Sequence, residues 1–123
     1  KRRPVSAELA EALKQADPER GAELAKKLQG GLPAIALTNH AALSSAFAND
    51  VDGMLSYAQQ VNGYGKAGDV FLGISTSGNA ENVMYAAVTA KAKGMKVIGL
   101  TGKTGGKLAK IADVAIIVPE QET

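Results

Sequence analysis

A chain of 123 residues, 46% hydrophobic but only 4% aromatic, has room for one small domain with an Ala/Val/Ile/Leu core, the composition used where helices cover a parallel sheet. Cysteine is absent and histidine occurs once, which excludes a disulfide framework, a thiolate metal site and an all-imidazole metal site within one chain. A net charge of +2 is too small to argue for nucleic acid, and no apolar run approaches the roughly 18 to 20 residues of a membrane span.

Residues 1–31 differ in character from the rest. After the basic Lys1-Arg2-Arg3 start, Val5, Leu9, Ala12 and Leu13 predict a helix over Val5 to Gln15 with Ser6 as its cap. Asp17-Pro18 opens a second helix to Leu28, with proline at its first position, and Gly30-Gly31 ends it. The two form a charged helical hairpin. Pro33 to Leu37 then predicts the first strand, and Thr38-Asn39-His40 follow it on the side where ligands sit in open parallel sheets. Helices are predicted over Ala41 to Ala48 and Asp52 to Asn62, with Asn49-Asp50 between them. On capping chemistry alone, that pair reads as the stop of one helix and the start of the next.

Gly63, Gly65 and Gly68 lead into the stretch around which the chain is organised. Asp69 to Ile74 predicts a buried strand, Ser75-Thr76-Ser77-Gly78-Asn79 a turn, and Ala80 to Lys93 a helix with Val83, Met84, Ala87, Val88 and Ala92 on one face. Asn79 is placed to cap that helix. A helix start leaves backbone N–H groups unpaired and partially positive, and three hydroxyls in a row add donors there, so the fitting guest is an anion such as phosphate. Turn chemistry alone leaves this reading level with simple capping. Met95 to Leu100 predicts a strand, Lys107 to Ala112 a short helix, and Val114 to Val118 a last strand ended by Pro119. The glycine-rich turn from Thr101 to Gly106 lacks the spacing of a nucleotide P-loop and reads as a backbone turn, with Lys103 in solvent. The run of Lys91, Lys93, Lys96, Lys103, Lys107 and Lys110 has no aromatic or arginine pattern beside it and reads as solvated surface. Strand and helix alternate throughout, predicting an α/β fold with four parallel strands and right-handed crossovers.

The runs GISTSGN and GMKVIGLTGKTGGKLAKIAD resemble the sugar isomerase (SIS) domain, in particular the phosphoheptose isomerase family, over Leu32 to about Pro119. The resemblance implies a three-layer α/β sandwich of flavodoxin-like type, incomplete in this chain, with residues 1–31 as a helical insertion or linker and residues 32–123 as the SIS domain. It implies substrate contacts from Asn49, Asp50, Ser75, Thr76, Ser77, Gly78 and Asn79. The family's activity is conversion of sedoheptulose 7-phosphate to D-glycero-D-manno-heptose 7-phosphate in the cytoplasm, by dimers or tetramers that do not engage nucleic acid or membrane. Its acid–base glutamate and histidine, which serve as zinc ligands in many members, lie in segments with no counterpart here. The resemblance therefore implies no catalytic residue within this chain and no turnover by it alone, with zinc a feature of the complete protein. His40 does not match the catalytic histidine and reads as a helix-start residue, and Glu81 as a partner of the helix dipole. Ala80 departs from the family, where many relatives carry a ligand-touching serine. Two other readings stay open: a non-catalytic SIS sensor or adaptor, and an SIS isomerase for a different sugar.

Overall fold

The computed structural model describes residues 3–120. They form two compact units, one ending at Ile35 and the other beginning at Ala36.

The first unit is the predicted hairpin, α1 (Ala7–Ala16) and α2 (Pro18–Lys27). Ser6 Oγ accepts from Leu9 N at 3.1 Å and Asp17 Oδ1 from Arg20 N at 2.9 Å, so both helix starts are capped by the residues the sequence offers. Gly30 N donates to Arg3 O at 2.9 Å and Pro4 bridges Gln29, which brings the two ends of the hairpin side by side.

The second unit begins with a 3-10 turn (Leu37–Asn39), then α3 (Ala41–Asp50), a second 3-10 turn (Gly53–Leu55) and α4 (Ser56–Tyr64). There follow β1 (Val70–Ser75), α5 (Glu81–Ala92), β2 (Lys96–Thr101), α6 (Gly106–Ile111) and β3 (Val114–Ile117). The sheet is parallel with order β1-β2-β3, and Ser75 lies in register with Thr101 at its C-terminal end.

One predicted strand is absent. Pro33 to Leu37 has no ladder partner among the described residues; its first four residues are irregular and Leu37 enters the 3-10 turn, leaving three strands instead of four. An apolar run becomes a strand only when a neighbour takes up its N–H and C=O groups, and here Leu37 O is instead taken by Gln60 Nε2 at 2.8 Å. The predicted helix from Asp52 to Asn62 is likewise divided into a 3-10 turn and α4. Asp52 caps the turn by accepting from Met54 N at 2.8 Å, while Asn49 and Asp50 both lie inside α3.

Phe71, Gly73 and Ser75 of β1 turn inward, while Val70, Leu72 and Ile74 turn outward. The inward side packs with α5 and α6 in a core of Val61, Phe71, Ala86, Ala87, Ala90, Met95, Val97 and Leu108. Three alanines on α5 allow that helix to lie close to the strands, and burial of the larger side chains contributes about 1.5 to 3 kcal/mol each. Outward-facing Val70, Leu72, Ile74, Val114 and Ile116 remain about half exposed or more. Asp113 ties the core's edge together: its Oδ2 accepts from Val97 N at 2.7 Å and its Oδ1 from Lys91 Nζ at 3.0 Å.

Candidate functional site

The site is built where β1 ends. Ser75 closes the strand with its side chain on the buried face, Thr76 and Ser77 are half-buried, Gly78 is buried and Asn79 is exposed. Gly78 N donates to Ser75 O at 3.0 Å, which makes the segment a tight turn. Gly78 has φ +66°, and a Cβ there would stand 1.9 Å from Gly105 O. Both the backbone angle and the close approach demand glycine. Its neighbour across the gap is subject to the same constraint: Gly106 has φ +56°, and a Cβ there would meet Ser77 O at 2.5 Å.

Hydrogen bonding across the loop is one-sided. Ser75 O accepts from Gly78 N, Thr76 O from Gly102 N at 2.9 Å, Ser77 O from Asn79 Nδ2 at 3.0 Å, and Gly78 O from Leu108 N at 2.9 Å. The carbonyls of Ser75, Thr76, Ser77 and Gly78 are thus engaged within the protein. The hydroxyls of Ser75, Thr76 and Ser77 remain as donors beside them. At the start of α5 the cap residue is Ala80, which offers no side-chain acceptor, and among the described residues the amides of Glu81 and Asn82 make no hydrogen bond to a protein acceptor. A turn whose carbonyls from Ser75 to Gly78 are tied off, and whose hydroxyls come just before the positive end of a twelve-residue helix, is suited to an anion.

Two sequence expectations change here. Asn79 does not cap α5; its Oδ1 accepts from Lys107 N at 3.1 Å and so caps the start of α6 instead. The reason is spatial, since Gly105 and Gly106 bring α6 against the loop while α5 departs one residue further along. Thr101 to Gly106, read as a plain backbone turn, proves to be the surface on which the loop rests. Lys103 is exposed as expected, with φ 54°. The sequence signal for this contact was the pairing of glycines at 78 and at 105–106, which spacing alone does not reveal.

The other expected residues lie elsewhere in the unit. Asn49 and Asp50 are exposed at the end of α3, and among the described residues neither is hydrogen-bonded to the loop. His40 is the cap of α3, its Nδ1 accepting from Leu43 N at 3.3 Å. Glu81, in the first turn of α5, faces Lys107 Nζ at 3.4 Å. Thr101 Oγ1, at the end of β2 beside Ser75, is buried without a hydrogen-bond partner. No group of three His, Cys, Asp or Glu residues among those described is placed to hold a metal, so the residues present do not fit the zinc that the resemblance implies.

A family model described as SIS domain matches residues 10–102. The chain belongs to the SIS domain family. This SIS domain is 44% identical over 92 residues to the phosphoheptose isomerase of Sulfurimonas denitrificans, covering 75% of the chain and 47% of that protein. It is 54% identical over 89 residues to that of Histophilus somni, covering 72% and 45%. Among solved structures, phosphoheptose isomerase GmhA from Neisseria gonorrhoeae matches with a TM-score of 0.73 at 43% identity, over 75% of this chain and 52% of that one. A phosphoheptose isomerase from Francisella tularensis gives the same TM-score at 38% identity, over 76% and 51%. The SIS domain here spans about half the length of the curated relatives it matches. Among the described residues no helix is long and apolar enough to cross a membrane.

Proposed function

We propose that the loop from Ser75 to Asn79 and the start of α5 hold the phosphate of a sugar phosphate, and that the protein to which this domain belongs is a phosphoheptose isomerase acting on sedoheptulose 7-phosphate. The observation that carries this reading is the one-sided hydrogen bonding of the loop, which engages the carbonyls from Ser75 to Gly78 and leaves hydroxyls and the first amides of α5 as donors. The names of the relatives support the substrate class. Moving a carbonyl between C1 and C2 needs a proton shuttle through an enediol. The loop provides the complementary part, holding the substrate so that its reacting carbons are fixed relative to a base. Asn49 and Asp50 are proposed as further sugar contacts, cytoplasm as the compartment, and a homo-oligomer of two or four subunits as the assembly. Zinc is proposed only for the complete protein, since the described residues offer no donor set for it.

The test is titration of the chain with sedoheptulose 7-phosphate and with inorganic phosphate, followed by amide chemical shifts of residues 75–82. Both are expected to perturb this segment. Ser77→Ala is expected to weaken binding by roughly 10- to 100-fold, the loss of one hydrogen bond to a charged group of about 1.5 to 3 kcal/mol. Binding that leaves residues 75–82 unperturbed, or that ignores Ser77→Ala, refutes the assignment. Ala80 stands where the resemblance implies a serine, so arabinose 5-phosphate and glucosamine 6-phosphate belong in the same titration. A clear preference for either moves the reading to another SIS isomerase.

A further inference from the structure

The side chain of Asn79 is committed at both ends. Its Nδ2 donates to Ser77 O at 3.0 Å and its Oδ1 accepts from Lys107 N at 3.1 Å, while its backbone N–H goes to Ser77 Oγ at 3.2 Å. Two parallel bonds complete the seam between loop and turn, Thr76 O with Gly102 N and Gly78 O with Leu108 N. Of the three links, that of Asn79 is the one made by a side chain, and it also closes the loop on itself through Ser77. We propose that Asn79 is a positioning residue: by capping α6 it fixes the orientation of Ser77 and Gly78, and it acts on the ligand through them without touching the phosphate. The inference rests on the reading that the loop holds a phosphate, and it replaces direct contact as the role of this residue.

Removing the carboxamide leaves Lys107 N–H without its acceptor and Ser77 O without its donor. The turn then samples other orientations of its hydroxyls, and the bound state must reorder them. A residue whose role was ligand contact alone would leave the ligand-free loop as it was.

Amide hydrogen exchange of the full chain, measured without ligand, separates the two roles. Asn79→Ala is expected to speed exchange at Lys107 about tenfold or more and, in a parallel titration, to raise the Kd for sedoheptulose 7-phosphate about tenfold. Asn79→Asp keeps an acceptor for Lys107 N–H, so exchange there is expected to stay close to that of the unsubstituted chain; this variant also serves if Asn79→Ala does not fold. Unchanged Lys107 exchange in Asn79→Ala, or accelerated exchange in Asn79→Asp equal to that of Asn79→Ala, overturns the proposal, as does weakened binding with no change in exchange. If the unsubstituted chain ignores sugar phosphates, the phosphate assignment fails by itself. The exchange comparison, which needs no ligand, still decides whether Asn79 holds the loop.

Discussion

Replacing Gly78 with alanine strikes the loop where backbone angle and packing coincide. At φ +66° a Cβ costs about 1 kcal/mol in steric strain. The same Cβ would sit 1.9 Å from Gly105 O and 2.5 Å from Gly105 C, so the seam must open, with an overpacking cost of about 1 to 3 kcal/mol. Together these give a loss of about 2 to 4 kcal/mol. Gly68→Ala provides the control, because Gly68 has φ +90° with nothing within 4 Å of its Cβ position. It should lose only the strain, about 1 kcal/mol. Urea unfolding followed through the amide signals of β2 measures both. If the two variants lose the same stability to within about 0.5 kcal/mol, the seam is not tight and the account of the site fails with it.

Thr101→Val replaces a buried hydroxyl that has no partner with a methyl of the same shape, and should raise stability by about 1 kcal/mol in the same urea titration. A loss there would show that the hydroxyl is satisfied. Leu108→Ala, in α6 against the inward face of the sheet, should cost about 2 to 5 kcal/mol, while Ile74→Thr, on the sheet's outward face, should stay within about 0.5 kcal/mol; similar losses would contradict the assignment of the core face. The Val97 N–H, with help from Lys91, holds the Asp113 carboxyl below its ordinary value of 3.8. A carboxylate whose folded value is depressed contributes stability that is complete above the unfolded value and is lost as pH falls through the folded one. The advantage of the unsubstituted chain over Asp113→Asn should therefore be steady near neutrality and shrink below about pH 4, as read from unfolding midpoints across pH. An advantage that does not depend on pH would refute the linkage.

Helices were legible wherever a cap and an apolar face agreed. Ser6 and Asp17 fixed α1 and α2 because local hydrogen bonds decide a helix start. β1, β2 and β3 were legible as short apolar runs between turn residues, within about one residue at their starts. Pro33 to Leu37 had the same signal and failed, because a strand is completed by a neighbour that the run itself does not encode. The loop from Ser75 to Asn79 was visible from its hydroxyls. What held it was not, since the link from Asn79 to Lys107 joins residues far apart in sequence through a side chain that locally resembles the cap of the nearer helix. The role of Gly105 and Gly106 was hidden for the same reason: their partner is a backbone carbonyl in another turn, and glycine carries no pattern that names its partner.

Because a side chain at Gly78 would run into the Gly105 carbonyl and one at Gly106 into the Ser77 and Gly78 backbone, the two turns form a single inheritable piece. A graft that moves ISTSGN alone into a related scaffold transfers the donors without the bed that aims them. A chimera that carries both segments is the smallest transplant that keeps their geometry, and side-chain growth at either glycine asks the backbone of the facing turn to move.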